Sequence, residues 1–230
     1  ALAASAKITI ETLEHKGGAR TYALYVPADL PAGPVPLLLT FHGSGRDGKS
    51  LVQPWTRLAD QHKFVIAGLE SKDPQAWQIP VDGPALQQAL VEALRARLPI
   101  DPRRVYLFGH SGGASFALQL GLIESEYFTA VAVHAGSFRN PADFNLLTYV
   151  KRLIPFKVLV GDQDPFFTVA SVTNTVEQFR KRGLPVDFEV VKRHDHDYYF
   201  RAKKFNEAIW TFLSAHRLES DPKYKEYNFQ

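Results

Sequence analysis

From residue 35 onward, short apolar runs take turns with longer runs whose apolar residues recur at helical spacing. The spacing predicts strands over 7–13, 20–27, 35–41, 64–69, 104–108, 129–134, 156–161 and 186–192. The first two flank the turn Lys16-Gly17-Gly18 and read as an antiparallel hairpin. One predicted helix starts at Asp82, repeats Leu86, Ala89/Leu90 and Ala93/Leu94, and stops at Leu98-Pro99. Another runs over 168–182 with Val169, Val172, Val176 and Phe179 on one face and Gly183 as its stop. A last one carries Phe205, Ala208/Ile209 and Phe212/Leu213. Strand and helix in alternation require right-handed crossovers, so the expected class is α/β: a mostly parallel eight-stranded sheet, helices on both faces, and little or no lid.

A length of 230 residues fits a single domain over 1–230, with 219–230 as a polar tail that packs loosely. The small residues at 1–6 read either as what remains beside a signal-peptide cleavage site or as an arbitrary boundary, so export and a cytoplasmic location both stay open. The net charge of +3 is not gathered into a block; Arg180-Lys181-Arg182 and Lys203-Lys204 fall on predicted helices and read as solvated faces. Neither a nucleic-acid nor a membrane partner is expected. Cysteine is absent, which removes disulfides, thiolate metal sites and thiol nucleophiles.

Gly109-His110-Ser111-Gly112-Gly113 lies between the predicted strand at 104–108 and an almost wholly apolar helical run. Gly-x-Ser-x-Gly in that setting forces a sharp strand-to-helix turn that lifts the serine hydroxyl clear of the sheet, with helix N–H groups beside it. Ser111 is therefore the candidate nucleophile. A serine needs a base, and the base needs an orienting carboxylate. In doubly wound sheets these stand beyond the carboxyl ends of strands. Asp162 and Asp164 follow the seventh strand, and His194 and His196 follow the eighth. Asp164, further into its loop, is preferred as the acid over Asp162, which is then a turn former. His196, leading into the last helix, is preferred as the base over His194.

His194-x-His196 with flanking aspartates also raises a metal reading, but position 198 is Tyr and no second cluster complements it, so no metal is expected. No cofactor is expected either. His42-Gly43-Ser44-Gly45, after the third strand, offers the Ser44 N–H as a partner to the Gly112 N–H in an oxyanion hole. Trp77, His110, Phe138 and Phe166 lie at the same predicted edge and are candidates for lining a substrate site. His42 and His134 read as packing or lining groups, His15, His62 and His216 as surface residues, and 146–154 as a small cover.

Phe41-His42-Gly43-Ser44-Gly45, Ile100-Asp101-Pro102-Arg103-Arg104-Val105-Tyr106, the elbow pentapeptide and Gly161-x-x-Asp164 together resemble an α/β-hydrolase. More narrowly, the chain is similar to compact esterases related to polyhydroxyalkanoate depolymerases and feruloyl or acetyl-xylan esterases. His196-Asp197-Tyr198-Tyr199-Phe200 is similar to the corresponding segment of esterase D and feruloyl esterases, where such a His is the base. The resemblance implies a Ser-His-Asp carboxylesterase acting through an acyl-enzyme on small or polymer-linked esters, short-chain or aromatic; the alternatives are a serine peptidase of the same fold and a non-catalytic hydrolase-fold binding protein. The elbow departs from the Ser-Asn-Gly-Gly common in that group, leaving the substrate open; oligomeric state is not legible.

Overall fold

The computed structural model describes residues 6–229. The reading of 1–6 as a leader remnant therefore falls, but for Ala6, outside the described residues. Eight strands form one sheet: β1 Thr9–His15, β2 Gly18–Tyr25, β3 Val35–Phe41, β4 Val65–Leu69, β5 Ile100–His110, β6 Ala130–His134, β7 Phe156–Gly161 and β8 Val186–Val191, in spatial order β1-β2-β4-β3-β5-β6-β7-β8. β1 and β2 pair antiparallel, β2 joins β4 antiparallel, and every later pairing is parallel.

The helices are α1 Gly48–Val52, α2 Thr56–His62, α3 Ile79–Asp82, α4 Pro84–Arg95, α5 Gly112–Ile123, α6 Val169–Lys181 and α7 Tyr198–Ser214. Side chains alternate across a strand, so each central strand feeds two cores. Leu37, Leu39, Val105, Leu107, Val131 and Val133 meet α4, α5 and α6 on one face. Leu38, Tyr106, Phe108, Ala130 and Ala132 meet α1, α2 and α7 on the other. Helix α5 is apolar all round because it is covered on all sides; α4 and α6 carry one apolar stripe each. Thr168 caps α6, its hydroxyl accepting from the Ser171 N–H at 3.2 Å, and Gly183 ends the turn at φ +90°. No described helix is long and apolar enough to cross a membrane.

One expectation is corrected. The 146–154 segment, read as a cover, belongs partly to a 3₁₀ stretch at Pro141–Tyr149; Leu146 and Leu147 pack on the α4–α6 core and take no part in the cleft wall. The tail lies along the surface with none of its described residues buried. The Lys223 N–H donates to the Glu126 carbonyl at 3.0 Å, the Lys225 N–H to Glu124 Oε2 at 3.2 Å, and Tyr224 stands edge-on to Tyr127.

Candidate active site

Ser111 sits between β5 and α5 at φ +58° and ψ −124°, a conformation that costs a non-glycine residue about 1–3 kcal/mol. Two glycines of the pentapeptide make the turn sterically feasible. A Cβ at Gly109 would stand 2.2 Å from the Gly113 carbonyl oxygen, and one at Gly113 would stand 2.1 Å from that of Phe41. The Gly-x-Ser-x-Gly pattern is thus what this close crossing of strand and helix demands.

The loops after β7 and β8 bring partners to the hydroxyl. His196 Nε2 is 2.9 Å from Ser111 Oγ, and His196 Nδ1 is 2.7 Å from Asp164 Oδ2. Asp164 Oδ1 accepts the Phe166 and Phe167 N–H groups at 2.9 and 2.8 Å, which locks the loop after β7. Burial alone would raise the Asp164 carboxyl; the bond to His196 and the two amides outweigh it and hold that carboxyl below its ordinary range. An ionised carboxylate only accepts, so Nδ1 carries the proton and Nε2 is left to accept from the serine. That polarity can draw a proton off Ser111 and shelter the resulting charge.

The inner pair is placed otherwise. Asp162 closes its turn, with Oδ1 accepting the His194 N–H at 3.3 Å. The His194 ring is buried, its Nε2 2.8 Å from His134 Nε2. No group of three or more His, Asp or Glu is arranged to hold a metal ion among the described residues.

A cleft of about 370 Å³ opens above Ser111, lined by Gly43, Ser44, Arg46, His110, Pro165, Phe166, Asp195, His196, Asp197 and Tyr199. A Cβ on Gly112 would stand 3.1 Å from Ser44 Oγ and 3.8 Å from Ser44 N, so the loop after β3 lies directly against the start of α5. Neither of the N–H groups nominated for an oxyanion, those of Ser44 and Gly112, donates elsewhere among the described residues. The Ser44 loop is braced from behind. The His42 ring spans from the Gly43 carbonyl to the Ser71 N–H, and the Trp77 indole donates to the His42 carbonyl at 2.8 Å.

Of the nominated lining residues, His110 and Phe166 line the cleft, and the 64% exposed Phe166 stands edge-on to His196 at 5.0 Å. Trp77 and Phe138 do not. Trp77 packs on Phe41 and Phe116, and Phe138 is buried against Phe144 and Phe179. For both, burying a large ring inside gains more than presenting it to solvent. His134, read as a packing or lining group, is wholly buried and does not line the cleft. Sequence reasoning missed Arg46 and Tyr199, whose guanidinium and ring lie 4.5 Å apart in the cleft wall. Arg46 shares its loop with Ser44 and Tyr199 lies three residues past His196, so proximity to those motifs was the available signal.

Among curated proteins, the chain is 29% identical over 177 residues to "Putative esterase NocK" of Nocardia uniformis subsp. tsuyamanensis, a match covering 70% of this chain and 50% of that one. It is 30% identical over 125 residues to poly(3-hydroxyalkanoate) depolymerase C of Paucimonas lemoignei, covering 49% and 30%. The chain thus spans half or less of the length of these relatives. Among solved structures, an S-formylglutathione hydrolase from Agrobacterium tumefaciens superposes with a TM-score of 0.73 at 15% identity, covering 92% of this chain and 95% of that one. That likeness assigns the α/β-hydrolase fold. The Dienelactone hydrolase family pattern matches residues 70–215, more than half the chain and all of it from β5 through α7, and to that family the chain belongs.

Proposed function

We propose that this chain hydrolyses carboxylic esters through an acyl-enzyme on Ser111, with His196 as base and Asp164 as the group that orients it. The observation carrying this reading is the unbroken line Ser111 Oγ–His196–Asp164, at 2.9 and 2.7 Å, at the floor of an open cleft. His196 Nε2 takes the serine proton as Oγ attacks the ester carbonyl. The carbonyl oxygen, now negative, is received by the Ser44 and Gly112 N–H groups. His196 returns the proton to the departing alcohol, and Asp164 stabilises the imidazolium formed in between. Water then repeats the sequence on the acyl-enzyme, releasing the acid and restoring Ser111.

Phe166 and Tyr199 give the cleft an aromatic wall, and its volume is modest. Both favour a short or aromatic acyl group, of acetyl or feruloyl type, over a long chain. The test is a panel of p-nitrophenyl acetate, p-nitrophenyl octanoate, methyl ferulate and a peptide p-nitroanilide, run with wild type and Ser111→Ala. Short or aromatic esters turn over and the amide does not; Ser111→Ala lowers kcat by about 10⁴-fold or more. Wild-type rates in Ser111→Ala would falsify the nucleophile assignment.

A further inference from the structure

Three buried histidines run inward from the cleft wall. His110 closes β5, His134 closes β6, and the sheet register pairs them. Their Nδ1 atoms are 3.1 Å apart, and His134 Nε2 is 2.8 Å from His194 Nε2. Each ring is at most 5% exposed. Tyr198 lies against His110 and His134 at 5.4 and 5.7 Å, and Phe205 lies against His134 and His194 at 5.1 and 4.9 Å. Burial holds all three imidazoles below their ordinary protonation range. A neutral ring has one N–H. His134 therefore donates at one contact and accepts at the other, and the two bonds share a direction.

The ends of this link lead to the two reacting groups. His110 immediately precedes Ser111, whose own N–H donates to the His134 carbonyl at 3.1 Å. His194 is two residues before His196, in a loop that must cross the end of β7 to reach His134. Gly161 makes that crossing feasible, since a Cβ there would stand 2.0 Å from the His194 carbonyl oxygen. The His194 ring is turned inward while its neighbours Asp195 and His196 line the cleft.

We infer that His134 is a positioning residue: its two imidazole–imidazole hydrogen bonds tie the serine strand to the base loop and set the distance between Ser111 Oγ and His196 Nε2. The inference rests on the hydrolase reading above and names a residue that touches no reacting atom. Catalytic geometry is steep in distance; a misplacement of about 1 Å can cost about 100-fold. The link should accordingly govern turnover, and leave ester binding in the cleft alone.

The experiment compares His134→Leu, which fills the space without hydrogen bonds, with His134→Gln, whose amide reaches the His194 side. With p-nitrophenyl acetate, His134→Leu lowers kcat about 10-fold or more with KM within about twofold, and His134→Gln recovers most of the loss. Capture of Ser111 by a fluorophosphonate slows in parallel. Should His134→Leu fail to fold by circular dichroism, His194→Leu against His194→Gln breaks and restores the same link from its other end. An unchanged kcat, a change confined to KM, or a loss that Gln does not recover overturns the inference. Ser111→Ala, run alongside, separates the two claims. Its loss of activity with intact turnover in His134→Leu sinks the link alone, whereas wild-type activity in Ser111→Ala sinks both.

Discussion

Two aspartate–histidine pairs leave β7 and β8, two residues apart. In the inner pair, Asp162 meets the backbone N–H of His194 and the ring turns into the core. In the outer pair, Asp164 meets the ring of His196, which points at Ser111. The residue types are the same; the distance from the strand end differs. At the root of a loop, the first duty of a polar side chain is to satisfy the turn. Only further out can it leave the sheet and face a neighbouring loop. The outer carboxylate is also the better prepared, since two amides of its own loop fix it before the imidazole arrives.

The sharpest way to break this comparison is to exchange the histidines' fates. His196→Ala should lose about 10⁴-fold or more in kcat, and adding Ser111→Ala should cost almost nothing further, because the members of such a unit are not additive. Asp164→Asn should follow at about 10³- to 10⁴-fold, since an amide no longer dictates which ring nitrogen carries the proton. Steady-state kinetics on p-nitrophenyl acetate measure both. A His196→Ala enzyme at wild-type rates would hand the base role to another residue.

Much of this was legible in the sequence, and the failures have physical causes. Strand positions emerged because buried parallel strands are continuous apolar runs, and the elbow because its glycines answer a steric demand at Gly109 and Gly113. Asp164 and His196 are singled out by their address beyond the strands and, for His196, by the resemblance of its segment; both lie on the line to Ser111 Oγ. Address failed for Trp77 and Phe138, since a large ring on a loop at the active edge still buries itself if a core lies within reach. The predicted helices omit 48–62, although Leu51, Val52, Trp55, Leu58 and Ala59 recur there at helical spacing and are all buried; Pro54 places a 3₁₀ turn between α1 and α2 without breaking that stripe. The histidine link was invisible for another reason: it depends on the register that sets His110 beside His134, and one-residue register is not written in local pattern.

Acidification separates the pairs by the pH at which each responds. Burial holds His134 well below its ordinary value of 6.5 and holds His110 down at about 3. The unfolded chain therefore binds more protons than the native one below about pH 6.5, and stability must fall as pH drops. Each imidazole kept neutral costs about 2 kcal/mol of unfolding free energy at pH 5 relative to pH 7.5. Asp164 behaves oppositely. Its carboxyl is depressed, so its contribution is full above the unfolded carboxylate range and is lost only as pH falls through the lower folded value. Between pH 7.5 and 5 the buried Glu124, raised to about 7 by burial, acts in the opposite sense, so the wild type is compared with His134→Gln, which should flatten the urea-unfolding slope by about 2 kcal/mol. An equal slope in that variant would mean that His134 is protonated in the folded protein.

The smallest effect belongs to Asp162, and its smallness is the point. Its carboxylate is exposed and accepts one long bond, 3.3 Å, from the His194 N–H. Asp162→Ala removes that acceptor but leaves the turn's backbone bond from the Asp162 N–H to the Val191 carbonyl at 3.0 Å. The variant should lose about 1 kcal/mol of stability, the one long bond being the only side-chain contact removed. Turnover should stay within about threefold, the displacement of His194 being absorbed by its bond to His134 before it reaches His196. A loss near that of Asp164→Asn would mean the inner carboxylate acts on the imidazole line as well, and the division of labour between root and tip of the loop would have to be abandoned.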